Sequence, residues 1–227
     1  MAKHQGGPVN ILVTSAINND PRRLQELLKT IESVWSRYPL STIHISETSR
    51  IRPSEGFLGH IPNRVEMTGF WGAEWIDRAH DTGLPIGCVQ NAIEIEALQR
   101  MMDLPYWYDR TYKLSGRYQL TDHFNPESHD PGKFTFRHPL RTGFSMEQVG
   151  TVGMLMTRLF GFPTSQAQYL KSVLEKIGNE HWQRWLSGKP FDIEHGLYKH
   201  IDHDICQFVD KIGVVGRIGH LEHIVED

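Results

Sequence analysis

The sequence predicts one α/β domain whose central sheet starts parallel and becomes mixed. Three observations carry that reading. The apolar run NILVT at Asn10–Thr14 is followed by a helix-period segment and then by the alternating segment STIHISE, a strand–helix–strand unit that implies a parallel pair and a right-handed crossover. Two more helix-period segments, near 91–102 and 164–185, are interleaved with short strand-like runs. A chain of 227 residues can bury one sizeable core, and no stretch has a linker composition, so a single domain is expected over 1–227.

The first strand, Asn10–Thr14, reads as buried and opening at its polar end toward a loop. In the helix that follows, Asp20 is placed to cap and Pro21 takes the first position, with Leu24, Leu27, Leu28, Ile31, Val34 and Trp35 at helical spacing. After Pro39, Ile43 and Ile45 alternate with polar neighbours and the second strand ends at Glu47. From Arg52 to Gly87 no period survives among Gly, Pro, Trp and charged residues. That stretch, 52–87, reads as a mobile or substrate-facing insert with one short helix around Glu74–His80. A helix over Asn91–Met102 leads into YKLSGRYQLTDHF, Tyr112–Phe124, a strand interrupted at Gly116 and Arg117. A loop, HFNPESHDPGK, then precedes a short strand at Phe134–Arg137, a strand over Val152–Phe160 and a helix from Thr164 to about Trp185. The last helix is expected from Asp192, with Ile193, Leu197, Ile201, Ile205, Phe208 and Ile212 as one apolar ridge.

Composition narrows the function. A net charge of −3 gives no overall basic footprint for duplex nucleic acid, whereas a local cluster of cations suffices for a small anion. Two cysteines, Cys88 and Cys206, are too few for a disulfide framework or a thiolate zinc site and fit a reducing compartment. The start MAKHQGGPVN has no signal-peptide core and no apolar run reaches a membrane span, so a cytoplasmic protein is expected, with peripheral membrane attachment left open.

Ligands of open α/β sheets bind beyond the carboxyl ends of strands, which gives priority to Thr14–Asn18, to Glu47 and to Arg117–Asp122. The first set precedes a helix N-terminus, where free N–H groups favour anions, or it only makes turns. Lys113 and Arg117 share a face if their strand runs straight, and two cations on one face suit a diphosphate; they equally suit ion pairs with Glu94 or Glu96 of the preceding helix. Gly116 offers a ligand close approach to the backbone. Glu194 falls on the apolar side of the last helix, and a carboxylate directed inward needs a partner or a task, although a first-turn acid is also favoured by the helix dipole. His200, His203 and Asp204 do not converge, and Asp202–His203–Asp204, a DXD triplet on paper, lies inside the expected helix. GVVGRIG at 213–219 lacks a strand–helix unit behind it and is a poor dinucleotide fingerprint.

Taken together, PRRLQELLKTIESVWSRYP, SETS, YKLSGRYQLTDHF, TRLFGFP and FDIEHGLYKHI resemble a group of small GT-A-type glycosyltransferase-like proteins of bacteria, large DNA viruses and phages, over most of the chain except roughly 52–87. The resemblance implies a nucleotide-binding three-layer sandwich, with a mixed and mainly parallel sheet, that transfers a sugar from a nucleotide donor to an acceptor hydroxyl in surface glycan or polysaccharide synthesis. It implies that Thr14, Ser15, Ala16, Ile17 and Glu47 contact the nucleoside, and that Gly116, Arg117 and Tyr118 stand where the fold carries its metal-binding DXD. Because GRY has no carboxylate, either Asp122 supplies a ligand to Mn²⁺ or Mg²⁺ or Lys113 and Arg117 replace the metal's charge, the second being favoured. Glu194 becomes the base in an inverting transfer or the stabiliser of an oxocarbenium-like centre in a retaining one. His195 is the alternate base, and Arg158 assists leaving group or acceptor. A binding protein of the same fold without turnover is the competing expectation, ahead of a nucleotidyltransferase or metal-dependent hydrolase.

Overall fold

Alternation along the first strand decides the layering. In β1 (Asn10–Ser15), Ile11 and Val13 point to one face and Leu12 to the other, all buried, so both faces of the sheet must be covered. The computed structural model describes residues 7–217 and 224–227. Its other strands are β2 (Thr42–Glu47), β3 (Glu66–Gly69), β4 (Arg110–Ser115), β5 (Tyr118–Leu120), β6 (Phe134–Arg137), β7 (Leu140–Arg141), β8 (Gly153–Met154), β9 (Leu159–Pro163), β10 (Cys206–Val209), β11 (Val214–Arg217) and β12 (Ile224–Glu226). The helices are α1 (Pro21–Arg37), α2 (Glu55–Leu58), α3 (Glu74–Asp81), α4 (Ile86–Met101), α5 (Met146–Val149), α6 (Ala167–Leu186) and α7 (Ile193–His200).

Seven strands form the main sheet in the order β10-β6-β9-β4-β1-β2-β3. β9 pairs antiparallel with both neighbours and the other pairs are parallel, so six strands point their carboxyl ends to one edge. On one face, α1 packs Leu24, Leu27, Ile31 and Val34 against Ile11, Val13, Ile43, Ile45, Tyr112 and Leu114. On the other, α4, α6 and α7 pack Ile95, Leu98, Leu170, Leu174, Ile193 and Leu197 against Leu12 and the ladder Phe134, Phe136, Phe160 and Phe162. Each such side chain, fully buried, stabilises the fold by roughly 1.5–3 kcal/mol, which is why the two stripes fix three layers. The expected α/β class, parallel at first and then mixed, is the one observed.

The start of α1 forms as its sequence requires, with Pro21 first and the Asp20 carboxylate accepting from Arg22 N at 2.8 Å. Other expectations shift. In the segment 52–87 the short helix expected around Glu74–His80 is present as α3, which packs Ile76 and Ala79 on Val89 and Ile93 of α4; not expected are β3, which extends the sheet edge, and the start of α4 at Ile86, straight after Pro85. The strand expected over Val152–Phe160 divides into β8 and β9, with a loop at 155–158. α7 starts after Asp192 as expected but stops at His200, because Ile201 is extended and Asp202 caps a new turn by accepting from Asp204 N. Ile205 and Phe208 therefore belong to a turn and to β10. The Asp202–His203–Asp204 triplet lies outside α7, in a single 3-10 turn ahead of the amino end of β10, on the edge away from the parallel carboxyl ends.

The interruption in YKLSGRYQL is a change of sheet. β4 ends at Ser115, and β5 pairs antiparallel with β11, which pairs with β12, in a small sheet over α1. At Gly213, between the last turn and β11, φ is +90° and an added Cβ would lie 2.1 Å from Phe124 N. Gly213→Ala is therefore expected to destabilise the protein by about 3 kcal/mol or more, from left-handed strain of about 1–2 kcal/mol and overpacking of about 1–3 kcal/mol. Urea titration checks it through a lower midpoint at unchanged slope.

Candidate functional site

Beyond the carboxyl ends of β1, β2 and β4 lies a cleft of about 400 Å³. The end of β1 brings Thr14 and Ser15 to it, the β1–α1 loop Ala16 and Asn18, and the first turn of α1 Arg23; the segment after β2 brings Thr48 and Arg50; α3 brings His80. α4 forms a wall with Gln90, Ile93, Glu94 and Ala97, and Ser115, Gly116 and Arg117 close the remaining side. The β1–α1 loop is held in an uncommon shape, with Asn18 and Asn19 at φ 51° and 54°. Asn18 N donates to Ser49 Oγ at 2.7 Å, and Asn19 Oδ1 accepts from Ser54 N at 2.8 Å.

The floor of the cleft is an ion pair. Lys113 alternates toward α4, is fully buried, and places Nζ 2.6 Å from Glu94 Oε1, 2.7 Å from Ser115 Oγ and 2.8 Å from the Thr157 carbonyl. Thr14 Oγ1 donates to the same Glu94 oxygen at 3.2 Å. Burial works to raise the proton affinity of Glu94, but Lys113, Thr14 and Arg117 outweigh it and hold the carboxyl below the usual carboxylate range. Thr157 continues the chain: its N–H donates to Glu194 Oε1 at 3.2 Å. Glu194 is half-buried, and burial first, then the charge of Asp192, push its proton affinity up to about 7 against the Thr157 N–H and Arg158.

Of the residues expected from sequence, Thr14, Ser15, Ala16, Gly116 and Arg117 meet in this cleft. Arg117 is in no ion pair among the described residues, and Gly116 is glycine because its backbone runs close to β1: its N–H donates to Thr14 O at 2.9 Å, and a Cβ would lie 3.1 Å from that carbonyl. The others lie elsewhere. Lys113 does not line the cleft: it is fully buried and its ammonium has three partners within the protein. Ile17 is buried in the α1 face, and Glu47 is fully buried, accepting from Ile17 N, Ser49 N and Ser49 Oγ, so it braces two loops. Tyr118 is buried beneath the Arg158 guanidinium, 5.8 Å from its ring, and Arg158 pairs with Asp227. His195 is 2% exposed with both ring nitrogens engaged, by Asp192 at 2.7 Å and Thr142 at 2.8 Å, which removes it as an alternate base. Nor is the start of α1 open to an anion, because Asp20 already caps it.

A divalent cation finds no fit among these residues. Asp122 is exposed on another face and paired with Arg37 at 2.9 Å, and no group of three His, Cys, Asp or Glu that could hold a metal ion occurs among the described residues. Sequence reasoning treated Glu94 only as a partner for Lys113 and passed over Arg23, Arg50, Gln90 and His80. A helical period marks which side of α4 is apolar but not which polar residue on its flank meets a strand end. Arg50 is held by Asp77 at 2.8 Å and Asp81 at 3.1 Å, both on α3.

No protein-family model and no curated protein sequence matches the chain. Solved structures do. A galactosyltransferase, LgtC, in complex with donor and acceptor sugar analogs superposes at a TM-score of 0.62 with 11% identity, covering 88% of this chain and 73% of that one. An active-site mutant of LgtC gives 0.58 at 12% identity, over 83% of this chain and 69% of its own. At such identity the likeness shows the fold, which is GT-A type, as the resemblance implied.

The buried pair makes a stability prediction. Lys113→Met leaves Glu94 without its counter-charge and is expected to cost about 3–5 kcal/mol, whereas adding Glu94→Gln recovers most of that loss. Chemical denaturation of the two single variants and the double variant measures the coupling.

Proposed function

We propose that the protein is a glycosyltransferase that moves a sugar from a nucleotide-sugar donor to an acceptor hydroxyl, in the synthesis of a surface glycan or polysaccharide. The observation that carries this reading is the Arg117 guanidinium, which lies in a cleft at the carboxyl ends of a GT-A-type sheet and is unpaired among the described residues. Thr14, Ser15, Ala16 and Asn18 line the part of the cleft assigned to the nucleoside. Arg117, with Arg23 and Arg50, is assigned to the diphosphate. As the sugar–oxygen bond breaks, charge accumulates on the departing diphosphate, and fixed guanidinium groups stabilise it without reorganising. Metal independence is part of the proposal, supported by these cations and by the poor fit of Asp122 to a metal role.

Glu194 is assigned to the acceptor hydroxyl, whose proton it takes. Its support is a proton affinity near neutrality at a half-buried carboxyl, one hydrogen-bonded residue from Lys113. Arg158 acts in this scheme through its charge on Glu194 and not by touching substrate. The two buried free thiols support a cytoplasmic location. No helix among the described residues is long and apolar enough to cross a membrane.

A second reading, a nucleotide or sugar-phosphate binding protein without turnover, is favoured by the ion pair that takes Lys113 away from the ligand. Thermal shift with UDP-, GDP-, CMP- and dTDP-sugars, in EDTA and in Mn²⁺, followed by a donor-hydrolysis assay, separates the two. At least one nucleotide diphosphate is expected to stabilise the protein in EDTA, and Arg117→Ala to abolish that shift; a shift intact in Arg117→Ala removes this residue from the site. Because the base must be ionised, kcat/KM is expected to rise with pH through about 7. Glu194→Gln should bind donor normally and lose transfer at every pH, and a fully active variant rejects the assignment.

A further inference from the structure

One charged group in the cleft has no task in the scheme above. Glu94 is the sole acid among the described residues that line it, set against Arg23, Arg50 and Arg117. Its Oε1 is engaged twice, by Lys113 and by Thr14. Its Oε2 has no hydrogen-bond partner among the described residues and is not one of the buried unpartnered atoms, and the side chain is 28% exposed, so this oxygen is open to the cleft. Lys113, itself tied to Ser115 and to the Thr157 carbonyl, keeps the carboxylate from swinging away and keeps it ionised at neutral pH.

An ionised oxygen with open lone pairs accepts from hydroxyl groups and repels other anions. In a cleft whose arginines are Arg23, Arg50 and Arg117, it cannot serve the diphosphate, and it suits the neutral, hydroxyl-rich part of a donor. We propose that Glu94 reads the donor sugar by accepting hydrogen bonds from its hydroxyls, so that the protein selects neutral sugars and rejects uronic and other acidic sugars. The inference rests on the nucleotide-sugar reading and names the substrate class of the same cleft. An acidic sugar would bring a second carboxylate within a few ångströms of one that Lys113 and Thr14 hold in place. A neutral hexose satisfies the open oxygen instead.

The test uses donor pairs that differ only in oxidation at C6: UDP-glucose with UDP-glucuronate, and GDP-mannose with GDP-mannuronate. Each is titrated by calorimetry alongside UDP and GDP, into the wild type and into the double variant Glu94→Gln with Lys113→Met, which keeps the buried pair uncharged and so avoids the folding cost of a single change. For whichever nucleotide binds the wild type, the neutral sugar is expected to bind at least about tenfold tighter than its uronate. In the double variant that gap closes to within about threefold, while the free diphosphate binds as before. Equal affinities in the wild type, or a gap that survives in the double variant, overturn the role of Glu94 and leave the nucleotide-sugar reading standing. Failure of every nucleotide, here and in the thermal-shift series with CMP- and dTDP-sugars, overturns that reading and this inference with it.

Discussion

The contact between Lys113 and Glu94 is the constraint on which the rest of the site depends. It joins the central strand β4 to α4 across the sheet face, under a cleft, where neither charge has water enough to stand alone. Removing two such charges from water costs several kcal/mol each, and their attraction returns this only when the remaining donors and acceptors are satisfied. Here the three protons of the ammonium meet Glu94, Ser115 and the Thr157 carbonyl. Each partner comes from a different segment, so one ion pair sets the height of α4, the end of β4 and the loop before β9. A hydrophobic pair of similar volume would hold α4 to the sheet as well. What it would not supply is a carboxylate with one oxygen fixed and the other open to a cleft.

The strand interruption lies just beyond that pair. β4 makes its last contacts with the main sheet at Ser115 N, bonded to Arg158 O beside β9, and at Gly116 N, bonded to Thr14 O of β1. The next residue, Arg117, is thereby lifted out of the sheet to the rim of the cleft, and the chain resumes as β5 in the small sheet. Glycine at 116 is the local condition for this, since a Cβ would meet the Thr14 carbonyl, Val13 and Leu27. The two cations of the motif thus separate: Lys113 works inside the protein and Arg117 outside it.

Much of the fold was legible where one physical signal dominated. Asp20–Pro21 marks the start of α1, and apolar recurrence marks α1 and α6, because burial of a stripe overrides other preferences there. The polar end of β1 pointed to the edge at which the cleft lies. Legibility failed where a period arose by coincidence, as in the spacing Ile201, Ile205, Phe208, Ile212, which continues the ridge of α7 although Ile201 is already extended. It failed again for polar residues whose partners are distant in sequence. Lys113 and Arg117 look alike as cations four apart, and only Glu94 and the carbonyl of Thr157, 44 residues on, separate their roles. Likewise, nothing local to Glu47 distinguishes a nucleoside contact from a brace for Ile17 and Ser49.

Glu94 and Glu194 interact, each in contact with the surroundings of Lys113, yet they are driven apart in proton affinity. The reason lies in how the cations of this edge are already committed. Lys113 gives its charge to Glu94, and the desolvation of that carboxyl is more than offset. Arg158, the cation that acts on Glu194, is engaged by Asp227, while Asp192 and Glu94 add negative charge. Only the Thr157 N–H and the remainder of the Arg158 field oppose burial, which leaves Glu194 able to exchange a proton near neutral pH while its neighbour stays ionised. Two carboxyls held in unlike states by one set of cations can carry unlike tasks, one a fixed acceptor in the cleft and the other a group that takes and returns a proton.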